Sequence, residues 1–511
     1  MATRILGICT EPDGFSAAVV IENRVVAALE QFKIREHWSP REAAVLPREA
    51  ILASLAIAKI DLARIEVVAF TSETNSTGRI VPHIRTVGFN PDAALEPVDP
   101  RLAQAAAAFY SSPFDRAAIL ILGSEREFTT ACLAFGDGGR IELEDTGVRH
   151  SALGALYSQI SHALGFNPRT SSKMAWLAAA GEPEFLEVFR EVMFWGHGKP
   201  LSGKLLAEVD LTRRQNVAAS LQARTNELVI QTAEELCRRR NVSNLCVAGR
   251  LAENPLLVRE LEQYFGPERV FVPAAPGMES LSIGAALART SLDMRPEPDS
   301  RFSYPALGPE FSDQEIKAEL ENCKLISSFL STDETLVESA CKAIAAGSLV
   351  GWFQGRCEFG HRALGFRSIV ANPFAPYIGE NINRFLKHRE SFHPFVISLP
   401  EEAAGEYFQQ VGPNARTIAS VYTVKDAKRE LLSKFAVQNV CVRVHTVRAT
   451  DNPLFWSLLR RMESFTGHPM LINTSFNLPG EPLVLTPRDA IRTFYASGLD
   501  LLAMSRFLVT K

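Results

Sequence analysis

The chain has 511 residues, more than one ordinary hydrophobic core organises, so two or more domains are expected. With 46% hydrophobic and 22% charged residues and a formal net charge of -4, it reads as a soluble globular protein lacking the basic footprint of a nucleic-acid binder. Its apolar runs fall short of the roughly 18 residues of a membrane span, and Met1-Ala2-Thr3-Arg4 leads into a strand pattern rather than a signal sequence, so a cytoplasmic protein with no membrane partner is expected.

Arg4–Cys9 reads as an apolar strand, and Ser16–Ile21 and Val25–Leu29, separated by Glu22-Asn23-Arg24, as a hairpin. A helix over Pro47–Ile60 and a strand over Val67–Thr71 follow, then an Ala-rich helix over Leu102–Tyr110 and strands over Ala117–Leu122 and Thr129–Phe135. Leu153, Leu156, Tyr157, Ile160 and Leu164 recur at helical spacing and predict a helix over Ser151–Leu164. Helix Asn226–Arg240, strand Asn244–Ala248, helix Asn254–Phe265, strand Val270–Val272 and helix Glu279–Arg289 then alternate. A hairpin-rich opening followed by strand–helix alternation points to an α/β fold of actin-like or ribonuclease-H-like lobes, although the pattern alone also admits other α/β folds. No internal repeat is visible.

The stretch from Ser291 to Asp313, with Pro296, Pro298, Pro305 and Pro309, reads as a linker and divides the chain into 1–300 and 301–511. Beyond it come helices over Asp313–Asn322 and Asp333–Ala346, a strand over Leu349–Phe353, a polar segment Asn381–Phe395, a strand over Val437–Val447, and helices over Pro453–Phe465 and Pro487–Ala496. The eight cysteines are scattered without a C-x-x-C pair and read as buried thiols rather than disulfides or a zinc site.

The chemistry concentrates in the second part. Gly355–Ser368 packs three glycines, three arginines and Glu358 into one loop after an apolar strand, a composition that suits phosphate or carboxylate oxygens. Lys387-His388-Arg389-Glu390, Phe392-His393-Pro394-Phe395, Arg443 and Asn473-Thr474-Ser475-Phe476-Asn477 add cations and small hydrogen-bonding side chains. Such a set can hold two anionic reactants against their repulsion. The plainer alternatives are an Arg-rich surface loop, a solvated ion-pair face and a simple turn.

Taken jointly, Gly355-Arg356-x-Glu358-Phe359-Gly360-x-Arg362-Ala363-Leu364-Gly365-x-Arg367-Ser368, Lys387-x-Arg389-Glu390-x-Phe392-x-Pro394-Phe395, Thr466-Gly467-x-Pro469, Asn473-Thr474-Ser475-Phe476-Asn477 and Gly480-Glu481-Pro482 resemble the C-terminal signature of the antibiotic and nodulation-factor O-carbamoyltransferases. The resemblance implies an actin-like (ASKHA, Kae1-like) two-lobed N-terminal domain over 1–300 and a YrdC-like α/β C-terminal domain over 301–511. It implies that the latter makes carbamoyl-adenylate from ATP, with or without Mg2+, and carbamoyl phosphate, and that the former passes the carbamoyl group to a small-molecule acceptor at a bound metal. By motif, Arg356, Arg362, Arg367, Lys387 and Arg389 would be the catalytic grip, with Arg443 beside them on the phosphates. Asn473, Thr474, Ser475 and Asn477 would hold nucleotide or donor, and Glu358 would orient an arginine.

The N-terminal half departs from the family. Pro100 and Gln104 stand where it carries two histidine ligands, Gly123, within Gly123-Ser124-Glu125-Arg126-Glu127, where it carries a carboxylate, and Met278 where it carries its final aspartate. None of these suits a hard or borderline metal, so the family's iron or other metal site is expected to be absent. His37, His83, His150, His162 and His197 show no ligand spacing that would rebuild it. Arg250 replaces a nucleotide-facing glycine, Val437-Gln438-Asn439-Val440-Cys441 replaces a polar rim, and His361 and His393 replace a proline and an arginine. His393 reads either as a hydrogen-bonded histidine, the favoured reading, or as a phosphate ligand titrating near neutrality. Two functions are therefore carried forward: carbamoyl transfer to a hydroxyl or amine, and a degenerate, nucleotide-binding partner of an intact carbamoyltransferase. A second copy or an intact paralogue is the macromolecular partner to expect, as a dimer. Use of the adenylating domain on another small acid is a weaker third.

Overall fold

The computed structural model describes residues 3–34, 46–72, 77–123, 132–144, 152–166, 172–193, 209–290, 305–437 and 440–511. Most of the predicted linker, His37, His150, His197, Ser124–Glu127 and Gln438-Asn439 lie outside the described residues.

The first sheet comprises β1 (Arg4–Cys9), β2 (Ser16–Ile21), β3 (Arg24–Glu30), β4 (Val67–Thr71) and β5 (Ala94–Val98), in the order β3-β2-β1-β4-β5. β1, β2 and β3 form the expected antiparallel meander, while β4 and β5 continue the sheet parallel to β1. The second sheet comprises β6 (Arg116–Ile121), β7 (Cys132–Asp137), β8 (Arg140–Leu143), β9 (Leu245–Ala248) and β10 (Val270–Phe271), in the order β10-β9-β6-β7-β8. Read from the other edge this is the same order with the same mixture of antiparallel and parallel neighbours. One topology used twice is the actin-like arrangement. The duplication is invisible in the sequence because it conserves strand order and burial rather than residues.

The lobes meet where helix Pro100–Tyr110 crosses helix Leu281–Leu287. A Cβ on Gly284 would lie 1.7 Å from the Ala103 carbonyl oxygen, so this crossing requires glycine on one helix and tolerates only small residues on the other. That contact accounts for the Ala-rich run Ala103–Ala108. Helix Arg214–Arg240 starts well before the predicted Asn226, because Val217, Ala218 and Leu221 are buried in the second lobe's core despite the polar residues between them. Helix Thr77–Arg85 and edge strand β5 were not anticipated; each contains a proline, and in a sheet proline is tolerated at an edge.

The remaining strands form one nine-stranded mixed sheet: β11 (Ser328–Phe329), β12 (Val350–Phe353), β13 (Arg367–Ala371), β14 (Val396–Pro400), β15 (Val421–Thr423), β16 (Cys441–Val447), β17 (Leu471–Ser475), β18 (Leu501–Met504) and β19 (Phe507–Thr510). Helices Asp333–Ala345 and Pro453–Thr466 bury Leu336, Ala340, Phe455 and Leu458 with Trp352 against one face. Asn473, Thr474 and Ser475 belong to β17 rather than to a turn, and the Arg367–Ser368 end of the Arg-rich loop is the start of β13. No helix among the described residues is long and apolar enough to cross a membrane.

Candidate functional site

The Gly355–Ser368 loop owes its shape to Glu358, which is fully buried; its Oε1 accepts from the backbone N–H groups of Leu364 (2.8 Å), Phe366 (3.0 Å) and Arg367 (3.1 Å). Within it Gly365 holds φ +88 against the Phe455 ring, where a Cβ would lie 2.3 Å from a ring carbon. From outside, Lys33 donates to the carbonyls of Glu358 (2.6 Å) and Gly360 (2.7 Å), while Glu30, 3.0 Å from Lys33, accepts from the Gly360 N–H at 2.5 Å. Burial alone would push the Lys33 ammonium down; the adjacent Glu30 carboxylate, together with Cys357 and Glu358 nearby, outweighs it and holds the group above its ordinary range.

The three arginines of the loop separate. Arg356 donates to the carbonyls of Gly308 (3.1 Å), Val26 (2.9 Å) and Leu307 (2.7 Å), which fastens the loop to the first lobe. Arg367 is fully buried, donates to the carbonyls of Gln354, Gly355, Phe366 and Pro309, and stacks 3.7 Å above the Phe353 ring. Arg362 alone enters a cavity of about 190 Å3 lined from both halves of the chain. There it meets Arg389 from the Lys387–Glu390 segment, Arg443 from β16, and Asn473, Thr474 and Ser475 from β17.

Trp176, Glu253 and Pro255 close the cavity from the N-terminal half. Arg443 lies 5.5 Å from the Trp176 ring, and His393 meets the same ring edge-on at 6.4 Å. Arg362 donates to the Thr417 carbonyl at 2.9 Å and Arg389 to Asn383 Oδ1 at 2.6 Å. Burial, with Arg362 and Arg389 adding repulsion, pushes the Arg443 guanidinium down to about 9; burial takes Arg389 to about 10. Both stay charged at neutral pH, so the cavity wall carries three guanidinium cations against the single carboxylate of Glu253.

Of eleven buried side-chain atoms without a hydrogen-bond partner among the described residues, four belong to this wall: Arg362 Nε, His393 Nδ1, Arg443 Nε and Asn473 Oδ1. Buried polar atoms are almost always satisfied, so this concentration marks the wall as the candidate place for a ligand or ordered water. His393 fits neither sequence reading fully. Burial and then Arg389 hold its pKa well below the ordinary imidazole range, and Nδ1 has no protein partner, so it faces the cavity as a neutral ring.

Lys387 sits beside the cavity, donating to the Ser475 carbonyl (2.6 Å) and hydroxyl (3.2 Å) and to the carbonyl (2.9 Å) and side-chain oxygen (2.6 Å) of Asn477. Burial, then Arg389, pushes it down to about 7, against which these four oxygens favour the ammonium. Asn477, whose amide donates to the Glu481 carbonyl at 2.6 Å, therefore supports the Ser475 strand end rather than lining the cavity.

At the positions aligned with the family metal ligands, Gln104 is buried and donates to the Pro276 carbonyl at 3.0 Å, while Met278 packs with Cys9, Ala103 and Leu281. One amide oxygen in an apolar setting is no donor set for a hard or borderline cation, so these residues do not fit that group. Trp176 and Glu253 were not among the site residues expected from sequence; the packing of the two halves brings them to the cavity.

The family described as "Carbamoyltransferase C-terminus" matches residues 341–511, and "Carbamoyltransferase N-terminus" matches residues 89–287. Nodulation protein NolO of Bradyrhizobium diazoefficiens is 31% identical over 426 residues, covering 80% of this chain and 78% of that one. Nodulation protein NolNO of Sinorhizobium fredii is 27% identical over 549 residues, covering 97% of this chain and 78% of its own. The 3'-hydroxymethylcephem-O-carbamoyltransferase of Amycolatopsis lactamdurans is 33% identical over 161 residues, 31% of this chain and 30% of that one.

Proposed function

Because the chain belongs to the carbamoyltransferase family, we propose that it moves the carbamoyl group of carbamoyl phosphate, through carbamoyl-adenylate, to a hydroxyl or amine of a small-molecule acceptor. Residues 301–511 would form the adenylate, and residues 1–300 would pass its carbamoyl group to the acceptor's hydroxyl or amine, which loses a proton as AMP leaves. The observation that carries this reading is the junction cavity, where Arg362, Arg389 and Arg443 converge and where Arg362 Nε, Arg443 Nε, His393 Nδ1 and Asn473 Oδ1 lack protein partners among the described residues.

In this reading water first releases carbamate and inorganic phosphate from carbamoyl phosphate. A carbamate oxygen then attacks the α-phosphorus of ATP, with Mg2+ as the nucleotide's counter-ion, and pyrophosphate leaves. Both partners are anions, and three guanidiniums on the cavity wall offset their repulsion before and during attack. Asn473 Oδ1, an acceptor with no protein donor, suits the carbamoyl NH2. At about 190 Å3 the cavity is smaller than the roughly 300–1,000 Å3 of pockets for larger ligands, so it suits the carbamoyl donor and reacting phosphates, with the rest of the nucleotide outside. Arg356, Arg367, Glu358, Lys387 and Asn477 shape this site in the proposal, and Arg362, Arg389, Arg443, Asn473, Thr474 and Ser475 contact the reactants.

Purified protein should release pyrophosphate from ATP only when carbamoyl phosphate is present. No carbamoyl-phosphate-dependent release would overturn the reading and favour the second one, a nucleotide-binding partner of an intact carbamoyltransferase, which the unsuitable residues Gln104 and Met278 at the family's metal positions support.

A further inference from the structure

We propose that Glu253, Glu279 and His361 bind one divalent first-row metal ion at the junction of the two halves, through residues other than those aligned with the family's metal ligands. One ligand atom from each lies within 4.8 Å of the others. An ion sits about 2.1 Å from such oxygen and nitrogen donors, which places ligand atoms at most ~4.2 Å apart, so side-chain movements of about an ångström complete the set. Two carboxylates and one imidazole suit Mn2+, Fe2+ or Zn2+.

The three residues come from separate turns: Glu253 from Arg250–Glu253 after β9, Glu279 from Met278–Ser280, and His361 from the Arg-rich loop. Among the described residues neither carboxylate forms an ion pair, although the cavity wall holds three arginines. His361 is exposed, which leaves room for an ion and its water ligands.

Independent support comes from the same wall. Glu253 and His361 line the cavity together with Arg362 and Asn473, which are 5% and 1% exposed and each carry an atom without a partner. Those atoms call for a polar or anionic occupant. The ion, on the edge of the wall, would share an oxygen of that occupant while the guanidiniums hold its other oxygens. Because the ligands come from both halves, the ion also fastens the N-terminal lobe to the Arg-rich loop.

The test is Mn2+ binding to the full chain after chelator treatment, followed by loss of the free Mn2+ resonance, with Zn2+ as competitor and no nucleotide or carbamoyl phosphate present. One equivalent should bind and raise the unfolding temperature. Glu279→Gln and His361→Ala should each weaken binding about tenfold or more. Glu253→Gln replaces either variant if its melt in chelator shows misfolding. No stoichiometric Mn2+ or Zn2+ binding by the unaltered chain, or unchanged binding in the folded variants, would overturn the proposal. Since the assay contains no reactant of the proposed transfer, it stands or falls separately from that reading.

Discussion

Lys33 donates to the carbonyl of Glu358 at 2.6 Å, so the N-terminal lobe grips the backbone of the loop whose side chain Arg362 enters the cavity. Lys33 and Glu30 are 4% and 1% exposed, and the pair is tied to Gly360 as well. Removing one member of a buried pair strands the other charge in a poor solvent. Lys33→Met should cost about 3–5 kcal/mol in urea unfolding, whereas the double replacement Glu30→Leu with Lys33→Met should recover much of that loss. A loss below about 1 kcal/mol for the single variant would show that the pair is not a structural tie.

The arginines of the loop should part company on substitution. Arg443→Ala and Arg362→Ala remove cations from the cavity wall, and each should lower carbamoyl-phosphate-dependent pyrophosphate release by about 10²-fold or more. Arg443→Ala, in addition, should leave the melting temperature nearly unchanged. Arg367→Ala instead strands carbonyls that the guanidinium satisfies and should destabilise the chain by more than about 2 kcal/mol. Steady-state rates set beside thermal melts separate the two outcomes.

Glu262 makes the junction pH-sensitive. It lies on helix Pro255–Phe265 and accepts from Asn414 (2.8 Å), Ser420 (2.6 Å) and Tyr422 (3.2 Å), all beyond the linker. Burial pushes its carboxyl up to about 7 despite those donors. A group that binds its proton more tightly when folded contributes stability fully below its unfolded pKa near 4.5 and loses it as pH rises to about 7. The total is at most roughly 3 kcal/mol.

His445, which burial holds down to about 3, acts in the opposite sense, contributing stability that is lost as pH falls below 6.5. The expected signature is therefore a difference: the stability of the unaltered chain relative to Glu262→Gln should decline between pH 4.5 and 7. A difference independent of pH would contradict this assignment.

The residues that line the cavity stood out in the sequence because most are short-range neighbours: Arg362 within Gly355–Ser368, Arg389 within Lys387–Glu390, and Asn473–Ser475 in one run. Sequence left Arg356 and Arg367 indistinguishable from Arg362, since only the folded loop shows which guanidiniums meet carbonyls. Most helices and the first meander were readable from burial period. Strands β13 and β14 were not, because both are buried along their length and lack alternation. Trp176 and Glu253 reach the site through tertiary packing alone. The same holds for Glu279, which the Met278–Ser280 turn brings near Glu253 and His361.

The most direct measurement of the central claim is a crystal structure of the chain with a non-hydrolysable ATP analogue and carbamoyl phosphate. The account predicts the donor's phosphate, or the nucleotide's reacting phosphates, between Arg362, Arg389 and Arg443, with Asn473 Oδ1 accepting from the carbamoyl nitrogen. Both ligands bound elsewhere, with those three arginines untouched, would contradict it.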